Sequence, residues 1–158
     1  MSIDLQRFRV AQDHPSAGYA AALSEIRAGG KRGHWIWYIF PQLYGLGASS
    51  MSRDYGIRGV DEAEAYLRDP LLRLRLIEIT EAVARLVDAG VPLETVMGSS
   101  IDACKLVSSL TLFSEVARRL AERDTEFANF AETSSDVLRR AGREGYLPCE
   151  YTLQRLRS

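Results

Sequence analysis

The sequence is poor in the residues that most often announce chemistry. It has two cysteines and two histidines among 158 residues. Cys104 and Cys149 lie far apart and, with His14 and His34, form no paired-ligand spacing, so neither a metal centre nor a disulfide framework is expected. Long apolar runs are missing as well. Nothing approaches the roughly 18 residues of a membrane span, and the opening MSIDLQRFRV carries charges where a signal peptide needs an apolar stretch. A cytoplasmic protein with reduced thiols and no membrane partner is the expectation. Bulk charge of one sign is also lacking. The formal net charge is −1, which gives nucleic acid or an anionic bilayer no global attraction and disfavours nucleic acid as a partner. Phosphate-loop, dinucleotide-binding, zinc-protease and serine-elbow motifs are absent, and no cofactor is implied.

What is present is ordinary globular material, 46% apolar and 26% charged, in a length that suits one domain over residues 1–158. There is no repeat, low-complexity segment or linker. Helical periodicity dominates. Asp4 is placed to cap a first helix carrying Leu5 and Phe8, and Pro15 suits the first turn of a second that stops at Gly29-Gly30. Asp61 and Glu64 have capping-box spacing, and Asp69-Pro70 ends that helix and opens another with Leu72, Leu76, Ile79, Val83 and Leu86 on one face. Ser99 and Asp102 begin a helix whose core stripe is Leu106, Leu110, Phe113 and Ala117. A further helix starts near Asp124 and ends around Gly142, and a short terminal one contains Tyr151 and Leu153. The expected fold is all-α, a single-domain orthogonal bundle of about six to eight helices.

Two constellations exceed what packing needs. The run GKRGHWIWYIFPQLYGLG, Gly30 to Gly47, gathers both tryptophans, Tyr38, Phe40, Tyr44, His34, Lys31 and Arg32. As a short helix, its Trp35 and Trp37 point roughly 200° apart, so one belongs in the core and the other near a cleft or surface. The run makes either a ligand site, with cations on an anion, a stacking ring and Gln42 on a polar edge, or a set of core anchors beside a solvated loop. The second constellation is Asp102, Lys105 and Ser109, a polar stripe beside the core stripe of its helix. It supplies either acid–base or anion-binding groups in a crevice, or a cap, an exposed ion pair and a tolerated small residue.

The residues KRGHWIWYIFPQLYGLG, Tyr55 to Arg58, EAEAYLRDPLL and KLVSSLTLF together resemble the family catalogued as domain of unknown function 1810. The family pattern falls on Lys31, Arg32, His34, Trp35, Trp37, Phe40, Pro41, Gln42, Gly45, Leu46 and Gly47, and later on Asp102, Lys105 and Ser108 to Phe113. The resemblance spans about residues 5–127, leaving 128–158 divergent. It implies an all-helical bacterial domain without an established activity. Some members carry a calpastatin-like label, but calpastatin is a disordered inhibitor, which this globular composition does not match. Because the matches cluster on both constellations, the expectation is a site for a small planar anionic, nucleotide-like ligand. Trp35 or Trp37 would stack, Lys31, Arg32 or Lys105 would bind the anion, Gln42 would read a polar edge, Tyr55 and Ser109 would complete the ligand-binding set, and His34 or Asp102 would transfer protons if chemistry occurs. His34 and at least one tryptophan should then reach the Asp102–Lys105–Ser109 stripe. The alternative is a non-catalytic module whose aromatic segment docks a protein partner. The reaction and the oligomeric state stay open.

Overall fold

Caps and prolines set the helix boundaries in the computed structural model, which describes residues 3–157. In chain order the helices are α1 Gln6–Gln12, α2 Tyr19–Arg27, α3 Ile36–Ile39, α4 Ser50–Asp54, α5 Val60–Arg68, α6 Pro70–Asp88, α7 Leu93–Met97, α8 Ser100–Ala121, α9 Ala128–Arg143 and α10 Glu150–Leu156. A 3-10 turn, Thr125–Phe127, precedes α9. Among the described residues there is no sheet, only an isolated parallel bridge between Leu43 and Ile57. The fold is all-α. The helices beyond the expected six to eight are single turns, α3, α4 and α7, set in the connecting segments. None of the described helices is long and apolar enough to cross a membrane.

Several boundaries follow the sequence signals. Asp69 accepts the amides of Leu71 and Leu72 at 3.1 and 3.0 Å with Pro70 in the first turn, and Ser99 accepts the amide of Asp102 at 3.1 Å. Others differ for local reasons. Leu5, not Asp4, occupies the cap position of α1, although the Asp4 carboxylate still accepts the Gln6 amide at 2.8 Å. Pro15 does not start α2. The His14 ring nitrogen accepts the amides of Ser16 and Ala17, closing a separate turn, and the helix begins only after Gly18. The cap of α5 is Gly59, which puts Asp61 two positions too late to cap and leaves it beside Glu62 in the first turn, where a carboxylate favours the helix dipole.

The core forms around α8. Residues 106–114 of this helix are buried without a break, enclosed by α5, α7, α9 and α10, while α6 joins α2 and α9. A chain of rings crosses the interior: Phe8 meets Tyr66 edge-on at 5.2 Å, and Tyr66 meets Phe113 at 5.0 Å. Gln12 reaches into it, donating to the Tyr66 hydroxyl at 3.0 Å and the Tyr38 carbonyl at 2.8 Å, so the buried amide is paired.

The loop after α2 is pressed against the α7–α8 junction. The Lys31 amide donates to the Val96 carbonyl at 2.8 Å. A Cβ on Gly30 would sit 2.7 Å from the Thr95 carbonyl oxygen, and one on Gly98 would sit 2.8 Å from that of Lys31. Gly98 also ends α7 with φ +83°, the left-handed region. These two close approaches set Lys31 beside the first turn of α8. Gly98→Ala should therefore destabilise the fold by about 1–3 kcal/mol through backbone strain and contact. Gly142→Ala, inside α9 with nothing near the added atom, should instead stabilise by about 0.5–1 kcal/mol. Urea denaturation midpoints of the two variants check the opposite signs.

Candidate functional site

An anchoring carboxylate holds the loop between α2 and α3. One oxygen of Glu25, near the end of α2, accepts the amides of Arg32 at 2.6 Å and Gly33 at 2.7 Å and the Trp35 indole N–H at 3.1 Å. Burial pushes the Glu25 carboxyl upward, but the Gly33 and Arg32 amides, the indole and the Lys31 charge outweigh it and hold the group below its ordinary value. The loop so fixed turns Lys31 inward.

There Lys31 Nζ pairs with Asp102 at 2.7 Å, donates to the Gly33 carbonyl and lies 5.0 Å from the Trp35 ring centre. The other Asp102 oxygen faces Lys105 Nζ at 3.7 Å, and that ammonium sits 4.7 Å from the Trp37 ring centre. Two cations thus share one carboxylate, and each covers an indole face. The Lys31 side chain is 5% exposed, Asp102 18% and Lys105 22%. One helical turn beyond Lys105, the Ser109 hydroxyl is buried with no hydrogen-bond partner among the described residues, and the Trp37 N–H is in the same state.

The structure thereby brings together Lys31, Trp35, Trp37, Asp102 and Lys105, with Ser109 on the same face of α8. The two tryptophans divide as the helix geometry requires: Trp35 is fully buried, and Trp37 lies at the boundary. Asp102 does not cap its helix, because Ser99 does so, and its carboxylate is free to bridge the lysines. The remaining residues sit elsewhere. His34 and the Arg32 side chain are exposed, and among the described residues no hydrogen bond or ring contact ties either to this group. Gln42 is buried and donates to the Leu46 carbonyl at 3.4 Å, closing its own loop. Tyr55 packs against Tyr38 at 5.3 Å and Phe8 at 6.1 Å. Glu25 was not signalled by the sequence, since nothing distinguishes it from any other carboxylate near a helix end. Among the described residues no three of His, Cys, Asp and Glu gather as metal ligands.

A family model described as "Protein of unknown function (DUF1810)" matches residues 2–139, reaching into α9. The crystal structure of the conserved hypothetical protein Rv1873 from Mycobacterium tuberculosis is similar to this chain. It is 36% identical, with 96% of this chain and 94% of that one covered and a TM-score of 0.76. No curated protein matches the sequence.

The depressed Glu25 carboxyl has a pH consequence. A group whose folded-state value is lowered stabilises the fold above its unfolded-state value and loses that contribution as pH falls through the folded value. Glu25→Gln should cost about 1–2 kcal/mol at neutral pH. The gap to the wild type should close as pH drops through the acid range, which urea titrations at a series of pH values measure.

Proposed function

The chain belongs to the DUF1810 family of proteins of unknown function, and we propose that it is a single cytoplasmic domain that binds a small planar anion, nucleotide-like in chemistry. The observation that carries this reading is the pairing of two ammonium groups with one carboxylate at a packing boundary. Distance and burial decide which lysine is available. Lys31 is nearly enclosed and satisfied by Asp102 and the Gly33 carbonyl. Lys105 is a full ångström farther from the shared carboxylate and more open, so it is the less completely paired of the two ammonium groups. A partly buried, incompletely paired charge is unfavourable until an anion offsets it.

In this reading Lys105 meets the anionic group and Trp37 offers its partly exposed ring for stacking, while Ser109, fully enclosed, stays behind the site. Asp102 orients both ammonium groups. Proton transfer between His34 and Asp102 has no support, since no contact links the two, so the proposal is binding and not catalysis. The rival, a protein-docking module, needs an exposed aromatic face. Of the aromatic run, Trp35, Tyr38 and Phe40 are buried and only Tyr44 is exposed, which favours the ligand.

Adenosine monophosphate and inorganic phosphate are suitable probes. Titration with adenosine monophosphate should quench tryptophan fluorescence saturably, and phosphate should compete. Trp37→Phe should remove the quench, and Lys105→Met should weaken binding about tenfold, equivalent to ~1.4 kcal/mol. No saturable response to either probe, or a Lys105→Met variant that binds like the wild type, sinks the proposal.

A further inference from the structure

A cleft of about 250 Å³ lies between α8 and the irregular segment joining α9 to α10. Cys104, Val107 and Ser108 line it from the helix, and Tyr146, Leu147 and Cys149 from the segment. Both thiols are free, so the two cysteines, far apart in sequence, open on one small cavity. Among the described residues no charged side chain lines it.

An internal disulfide does not fit this geometry. The Cys149 amide donates to the Thr111 hydroxyl at 3.1 Å, which holds it beside a residue seven positions beyond Cys104. At the α-helical rise that is about 10 Å along the axis. A disulfide tolerates roughly 7 Å between Cα atoms. The two sulfurs also differ. Cys149 accepts a hydrogen bond from the Thr152 hydroxyl at 3.3 Å and is half-buried, whereas Cys104 is exposed and has no hydrogen-bond partner among the described residues. Cys104 is the freer nucleophile.

Ser108 supplies the second group. It is 8% exposed, borders the cleft and has no hydrogen-bond partner among the described residues. Two other buried helical hydroxyls, Thr111 and Ser134, close onto the carbonyls of Val107 and Phe130 one turn back, both at 2.7 Å, whereas Thr80 and Ser109 are unpartnered among the described residues but enclosed. Ser108 makes no such closure. It stands one turn from Cys104, a separation of about 5–6 Å between Cβ atoms. The wall therefore carries a soft nucleophile and a hydroxyl donor side by side, with apolar Val107 and Leu147 around them.

We propose that the cleft binds small uncharged α,β-unsaturated carbonyl compounds and that Cys104 captures them covalently. The Cys104 sulfur bonds to the β-carbon as the carbon–carbon π pair shifts toward the carbonyl oxygen. Ser108 donates a hydrogen bond to that oxygen. The thiol proton ends on the α-carbon, leaving a saturated thioether, and no outside oxidant or reductant takes part. Disulfide exchange with a charged peptide disulfide suits the cleft less, because the departing thiolate would find no cation there.

The test uses cyclohex-2-en-1-one as the probe and methyl methanethiosulfonate as a small neutral thiol reagent without a conjugated carbonyl. Intact mass and peptide mapping should place one enone on Cys104, at a rate that saturates with enone concentration. Ser108→Ala should slow enone capture about tenfold and leave methanethiosulfonate labelling unchanged. Three results would overturn the proposal: label on Cys149 in place of Cys104, a linear rate no faster than that of free N-acetylcysteine, or equal slowing of both reagents by Ser108→Ala. The wild-type map and rate law decide even if the variant proves unstable.

Discussion

A helix buried on every side has no solvent face for its polar side chains, and residues 106–114 of α8 form such a helix. Other elements are arranged by the need to cover it. Its polar residues in this stretch, Ser108, Ser109, Thr111 and Ser114, are all small, which lets neighbouring elements approach from several directions. Thr111 turns the constraint into a joint: its hydroxyl donates to Val107 and accepts the Cys149 amide, tying the segment before α10 to the central helix. Charge is then confined to the two ends of α8. Asp102 and Lys105 lie at one end, and Glu115, Arg118 and Arg119 at the other.

This arrangement explains what could and could not be read from the residues alone. Helix ends with a local chemical cause were legible: Asp69-Pro70, Ser99 and the Gly29-Gly30 stop all act where the sequence puts them. Starts that depend on a competing local bond were not. The His14 turn delays α2, and Gly59 takes the cap position of α5 ahead of Asp61. The burial of α8 was hidden for a different reason. Serine and threonine look solvent-facing in a periodicity argument, so the stripe of Asp102, Lys105 and Ser109 read as one polar edge, whereas its last member is fully enclosed.

The candidate site shows the same division. The split of Trp35 from Trp37 follows from helical rotation and was legible. The pairing of Lys31 with Asp102 depends on a loop whose path is set by two glycine contacts and by Glu25, none of which has a periodic signature. Gln42 and Tyr55 shared the resemblance with the site residues, yet their side chains are occupied in closing a loop and packing a ring cluster. Motif membership does not separate groups that face a ligand from groups that shape the surface around it.

Counting ion pairs would not single out Asp102 either, since Glu115 also meets two cations, Arg118 at 2.5 Å and Arg119 at 3.2 Å. Burial separates the cases. Arg118 and Arg119 are 60% and 40% exposed, so water screens their surplus charge and the arrangement costs little. Lys31 and Lys105 lie against indole faces with most of their surface removed from water. There Asp102, with Glu25 acting on Lys31 from the loop, must hold two ammonium groups, and Lys105 is the less closely paired of them. Successive residues on a helix point about 100° apart, so Cys104 and Ser108 turn to one side of α8 while Lys105 and Ser109 turn to another. The buried helix therefore concentrates unpaired polar groups at one end and divides them between two surfaces. One is cationic and aromatic, and the other is neutral and lined by thiols.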